Sequence, residues 1–309
     1  MNPSLALQRF FLKNGMALGI FLLVAVAFWM FILIILPQLF MVDFSLSKNL
    51  PPAEIGGPKD VLTFEHYKFM LYGSAKEAGS FNTVDLGVFM RTLLAAFFVT
   101  IFDLVLCYPI AYYLAQVAHG GWGRLMVLSL IVPFWVNEIL RAFAFRIMFG
   151  SAGVINTFLI WAGILDQPYD FIPNNVALYA GLGYAFILLM IFPLYNAIES
   201  LDKNQIEAAR DMGASWLRIH WRVVIPFAKP GISSGCTMVF MLTAGALAAP
   251  QILGGPSSLW FTQIIYQWFN TGGNWPRGSA YAIILLVSTI LIVLLVMKIF
   301  KVKLGEIAK

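Results

Sequence analysis

Apolar positions along this chain come in long unbroken runs, not in the alternation of a half-buried sheet or the one-sided stripe of a surface helix. A bilayer-crossing helix takes about 20 such residues, and six stretches qualify, at about 16–42, 88–116, 125–145, 176–199, 231–251 and 280–298. The first is expected to be interrupted by Pro37 and follows the basic pair Arg9 and Lys13; no small-residue cleavage site comes after it, so it reads as a span and not as a leader. Residues 43–87, with PPAEIGGPKD, read as an outer loop, as do residues 146–175, where NTFLIWAGI suggests an interfacial helix. LGGPSSLWFTQIIYQWFNTGGNWPRGSA holds too many turn residues to span, though FTQIIYQWF fits a short helix at the interface. The pattern predicts an all-α integral membrane protein, one domain over 1–309 with six spans and a polar segment at 200–230.

Composition agrees. Hydrophobic residues make up 60% and charged ones 11% of 309 residues, and the mean hydropathy of +0.82 excludes a soluble domain of this length. The net charge of +5 matches the excess of Lys and Arg in cytoplasmic loops and needs no nucleic acid. Twelve Lys and Arg fall on the side that carries both termini and the 200–230 segment, so both termini are expected in the cytoplasm. Cys107 and Cys236 lie in apolar runs and suggest neither a disulfide nor zinc; His66, His119 and His220 share no ligand spacing. There is no G-x-x-x-x-G-K-[ST] loop for ATP phosphates, so no cofactor is expected on this chain.

The polar segment carries the chemistry. Its core is EAARDMGASWLRIHWRVVIP at 207–226. Asn204 with Glu207 suggests a capping-box-like helix start, Gly213 a turn, and a second helix is expected to run from Ser215 and stop at Pro226. Glu207, Ala208 and Ala209, then three residues and Gly213, then nine residues, Val223 and the pair Ile225 and Pro226, resemble the EAA loop of membrane subunits of bacterial ABC importers.

That resemblance implies the type I ABC importer permease fold, with the EAA stretch as a cytoplasmic coupling helix in a bacterial inner membrane. It implies a second permease subunit, two ATP-binding cassette subunits that hold ATP and Mg, and an extracytoplasmic solute-binding protein. Glu207 would pair with a basic group of the ATPase, Ala208 and Ala209 would permit close approach, and Gly213 would set the turn. The permease itself would not be an enzyme.

Charged residues inside spans need a reason, because each costs about 2.5–3.5 kcal/mol near the bilayer centre. Asp103 and Glu138 each lie about 13 residues from the inner end of their spans, close to the midplane. Together they suggest a pathway for a cation, flanked by Trp135, Tyr108 and Tyr184, although Arg141, one turn beyond Glu138, offers an alternative partner.

Within the importer family the chain is similar to polyamine-type permeases, through IVPFW at 131–135, GVINTFLIWAGILDQP at 153–168, FPLYNAIESLD at 192–202, PQILGGPSS at 250–258 and NWPRGSA at 274–280. It departs from them at Ala246, where spermidine and putrescine permeases commonly carry an acidic residue. A polyamine is therefore the expected solute, with an opine, a phosphonate or ferric iron as alternatives in the same class. A secondary transporter is the alternative from another class; the repeated halves such folds often have are not evident.

Overall fold

The computed structural model describes residues 15–54, 56–73, 81–118, 120–255 and 258–302. Arg9, Lys13, His119, Lys303 and Lys309 lie outside the described residues. The first helix, α1, is Met16–Leu46. A short α2, Glu65–Tyr72, precedes α3, Thr83–Val117. Then come α4 Gly120–Ile131, α5 Glu138–Phe149 and α6 Val154–Trp161. The central helix α7 is Val176–Glu199, followed by α8 Lys203–Asp211 and α9 Trp216–Ala244. The chain finishes with α10 Ala248–Leu253, α11 Phe261–Phe269 and α12 Trp275–Phe300.

Helices α3, α7 and α9 pack against one another and form the core. Small residues let them approach. A Cβ on Gly231 of α9 would overlap the Pro193 carbonyl of α7, and one on Gly235 would lie 2.9 Å from Met190 Sδ. Without hydrophobic pressure in a lipid, close backbone approach of this kind is what holds helices together. Around the core, α12 packs on the C-terminal part of α1, and α2 and α11 rest on α12. That cap is fastened by Arg277, whose guanidinium stands 3.6 Å from the Phe69 ring centroid and 4.6 Å from that of Trp268. Beside it the Tyr281 hydroxyl donates to Asp85 Oδ2 at 2.6 Å.

Two expectations about proline fail for one reason. Pro37 does not interrupt α1, and Pro226 does not stop the helix begun near Ser215. Each proline is the second residue after a five-residue π-helical turn, Phe31–Ile35 and His220–Val224. The widened ladder there accommodates a ring that would otherwise clash with the carbonyl four residues back. As a result α9 begins inside the stretch read as a loop.

The span expected at 125–145 is not one helix. It is α4, a 3-10 turn at Val132–Trp135, a non-helical link and then α5. Asn137 starts α5 by accepting the Ile139 N–H at 2.8 Å. Pro133 and the capping side chain of Asn137 are the signals for this break.

Candidate functional site

Two regions hold the residues singled out from sequence. The first is α8 with the turn that follows it. Its N-cap is Asp202, which accepts from Asn204 N at 3.0 Å, so Asn204 is already inside the helix and the expected capping box with Glu207 does not form. The last turn closes with Gly213 N on Arg210 O at 2.9 Å and Ala214 N on Ala209 O at 3.1 Å. Gly213 has φ +76°, the left-handed turn that a Schellman ending demands and that a side chain resists.

The helix has two faces. Ile206 and Ala209 (7% exposed) join the main core, whereas Glu207 and Ala208 face outward. The motif thus divides its labour, with Ala209 seating α8 on its own chain and Glu207 and Ala208 presented beyond it. Met212, Trp216, Leu217 and Trp221 are exposed beside them, as are Arg210, Arg218 and Arg222. The result is an apolar patch ringed by cations. Ile225 is partly buried and Pro226 exposed within α9.

The second region is the membrane core, and it scatters the expected pathway residues. Asp103 is sealed in the seam between α3 and α7 at 0% exposure, with no hydrogen-bond partner on either oxygen. A Cβ on Gly183 would come within 2.9 Å of its Oδ1, so the absence of a side chain there makes room for the carboxyl. Glu138 is the first residue of α5, where the helix dipole favours an acid. It makes no ion pair with Arg141, whose guanidinium turns to the Ala185 carbonyl at 3.3 Å and stands 5.4 Å from the Phe134 ring centroid.

Trp135 is 86% exposed in the break before α5. Tyr184 packs its ring 5.1 Å from that of Phe145, and Tyr108 has its hydroxyl 2.7 Å from His220 Nδ1. Ala246, where an acid was sought, is buried between α9 and α10, and its carbonyl accepts the Thr262 hydroxyl at 2.6 Å. An open groove of about 740 Å³ between α7 and α9 is lined by Leu189, Phe192, Asn196, Phe227 and Met238 among others, and by none of the expected pathway residues. Among the described residues no three His, Cys, Asp or Glu side chains come together as a metal site.

Sequence reading missed His220, which was set aside for lack of a ligand spacing. It also missed the helix break.

Solved structures show the fold. The chain matches a bacterial ABC transporter that imports the acidic polysaccharide alginate with a TM-score of 0.70 at 16% identity, over 96% of this chain and 98% of that one. The MetNI methionine ABC transporter matches with a TM-score of 0.53 at 21% identity, over 70% of this chain and 94% of that one. The fold is that of an ABC-importer membrane permease, and six apolar stretches long enough to span among the described residues, namely α1, α3, α7, α9, α12 and Glu138–Trp161 (α5 with α6), make it a multi-pass membrane protein.

Sequence relatives narrow this further. The spermidine/putrescine transport system permease protein PotB of Escherichia coli (strain K12) is 33% identical over 264 residues, 85% of this chain and 91% of the relative. PotB of Haemophilus influenzae is 35% identical over 216 residues, 70% of this chain and 74% of the relative. The chain belongs to this PotB family of transport permeases. No family model matches it.

Proposed function

We propose that the chain is the membrane-spanning permease subunit of an ATP-driven importer and forms half of a path for a polyamine such as spermidine or putrescine. The observation that carries this is the 33% identity to PotB over 85% of the chain. The fold it shares with importer permeases and the outward-facing Glu207 and Ala208 of α8 support it. In this reading a second permease completes the path and two ATP-binding cassette subunits bind ATP and Mg. An extracytoplasmic binding protein delivers the solute. The Lys and Arg balance supports an inner-membrane orientation with both termini cytoplasmic.

Coupling runs through the exposed face of α8. Glu207 meets a basic group of the ATPase, Ala208 allows the surfaces to close, and the Met212 and Trp216 side chains fill the groove beside them. Ala209, Gly213, Ile225 and Pro226 act from within, by fixing how α8 is carried on α9. When ATP draws the cassette dimer together, a rigidly seated helix transmits that displacement to the spans.

The solute path is assigned to the break before α5. Counting α4 at about 1.5 Å per residue, 12 residues raise the break about 18 Å above the inner end of that span. Irregular backbone at that depth is tolerated only where it is covered by protein or lines an aqueous cavity. Trp135 and Glu138 project there, an aromatic face and a carboxylate of the kind that receives an alkylammonium; Tyr184 stands on the neighbouring α7. Asp103 and Tyr108 act elsewhere, the first as a packing group in its seam and the second through His220.

The test is ATP hydrolysis by the reconstituted complex with its binding protein, offered putrescine, spermidine, an opine, a phosphonate and ferric iron. Stimulation by a polyamine that is lost in Glu138→Gln is expected. Stimulation by an anionic solute alone would leave the importer standing and remove the polyamine, in keeping with Ala246. Glu207→Arg is expected to abolish uptake with insertion intact, and normal uptake by that variant would end the coupling role.

A further inference from the structure

His220 lies past the coupling helix, where Tyr108 reaches it. It is 3% exposed, in the π-helical turn at the base of α9. Its ring lies 4.4 Å from that of Tyr112 and 4.1 Å from that of Trp216, centroid to centroid. Nδ1 meets the Tyr108 hydroxyl at 2.7 Å, while Nε2 is buried without a partner. An aromatic slot closed on three sides around one directed hydrogen bond fixes the ring's orientation as well as its position.

A second bond ties the same helix on the other side of α8. Gln116 of α3 donates from Nε2 to the Ile198 carbonyl at 2.7 Å and to the Leu201 carbonyl at 3.3 Å. Residues 198 and 201 come just before α8, and residue 220 just after it. Tyr108 and Gln116 are eight residues apart, about 12 Å along α3. One attachment would leave α3 free to swivel. Two, at that separation, set its direction. Helix α8 is itself held to this base, since Ile206 and Ala209 share a core with Ile219 and Val224.

The lower end of α3 is also built to bend. Pro109 adjoins Tyr108 and removes one rung of the helical ladder, and the helix ends in a π-helical turn at Tyr113–Val117. The bracket therefore grips α3 at a weak point, below the seam that holds Asp103.

We propose that His220 is a positioning residue for coupling: with Tyr108 on one side of α8 and Gln116 on the other, it makes α3 the span that coupling-helix movement drives. This rests on α8 being the coupling helix. The complex of the full chain with its second permease, ATPase and binding protein is assayed for solute uptake and ATP hydrolysis together. His220→Phe keeps a ring in the slot and removes the bond, and Tyr108→Phe removes it from the other end. Each is expected to lower uptake per ATP hydrolysed about tenfold, equivalent to about 1.4 kcal/mol. His220→Asn, which sets an amide near the place of Nδ1, is expected to restore most of that ratio, and His220→Gln, which sets it nearer Nε2, is not. A wild-type ratio in both phenylalanine variants overturns the proposal, as does a loss of uptake and hydrolysis in equal proportion, which would mark a purely structural residue. Glu207→Arg separates the two readings. If it blocks uptake while the phenylalanine variants stay coupled, the bracket fails and α8 stands; if it transports normally, α8 itself fails.

Discussion

Gly231→Ala tests one of the closest approaches in the core. In α9 this residue faces the backbone of α7, and an added Cβ would overlap the Pro193 carbonyl oxygen and crowd Ala197 Cβ. A carbonyl cannot rotate aside as a side chain does, so the helices must part by about 1 Å to restore ordinary contact. Overpacking of a filled core costs about 1–3 kcal/mol, and a clash with backbone belongs at the upper end. Against that, Ala is favoured over Gly within a helix by about 1 kcal/mol. The net expectation is a loss of about 2 kcal/mol. Gly87 of α3 is the control, because a Cβ there meets nothing within 4 Å. The same change at Gly87 is expected to stabilise by about 0.5–1 kcal/mol. Both are measured as unfolding of the purified permease in detergent micelles against added SDS. Equal stability of Gly231→Ala and the unsubstituted chain would refute the account of why α7 and α9 lie so close.

Other outcomes follow from single contacts. Tyr281→Phe removes the hydroxyl from Asp85 but leaves the Asn82 amide at 2.8 Å, so a loss of about 1.5–3 kcal/mol is expected in the same unfolding assay; no change would mean the pair carries no load. Asp103→Asn is expected to keep uptake within about twofold, because an unpartnered carboxyl closed in apolar surroundings gains nothing from charge. A loss beyond tenfold with normal assembly would return Asp103 to the solute path. Burial holds His66 below its ordinary pKa, with the Arg277 charge adding to that and the Ser47 carbonyl and Glu65 opposing it. A histidine kept neutral in the fold binds fewer protons than it does unfolded, so the packing of α2 keeps its stability above the unfolded pKa of about 6.5 and loses it as pH falls toward the folded value. Amide exchange over α2, corrected for intrinsic rates, is expected to be faster at pH 5.5 than at 7.5, and His66→Gln should flatten the difference.

Spans were legible because hydrocarbon imposes one demand on every residue in turn, and a run of apolar side chains answers it without help from distant chain. The EAA spacing was legible because a helix end and a turn are local events. What escaped reading depends on partners far away in sequence. Asp103 read from sequence as a pathway acid, and nothing near it announced that Gly183, eighty residues on, makes room for it in a closed seam. Tyr108 and His220 are 112 positions apart, and neither alone suggests the other. Prolines misled in the opposite direction: Pro37 and Pro226 read as breaks but follow π-helical turns that absorb them, whereas Pro133 sits at the real break and was passed over inside an apolar run. Ala208 and Ala209 differ only in which side of α8 they occupy, a distinction set by how α8 packs on Ile219 and Val224 of α9, which the motif itself does not announce.

The break ahead of α5 also bears on how the cell manages this chain. If that stretch lies at the depth proposed above, with Trp135 exposed beside it, the subunit without its proposed partner is unfinished in the bilayer. If the second permease proposed above covers the break, copies made in excess of it are expected to be removed by membrane proteases. On that reading the scarcer subunit would set the amount of transporter, and a surplus of this one is expected to be short-lived instead of accumulating as a pool held in reserve.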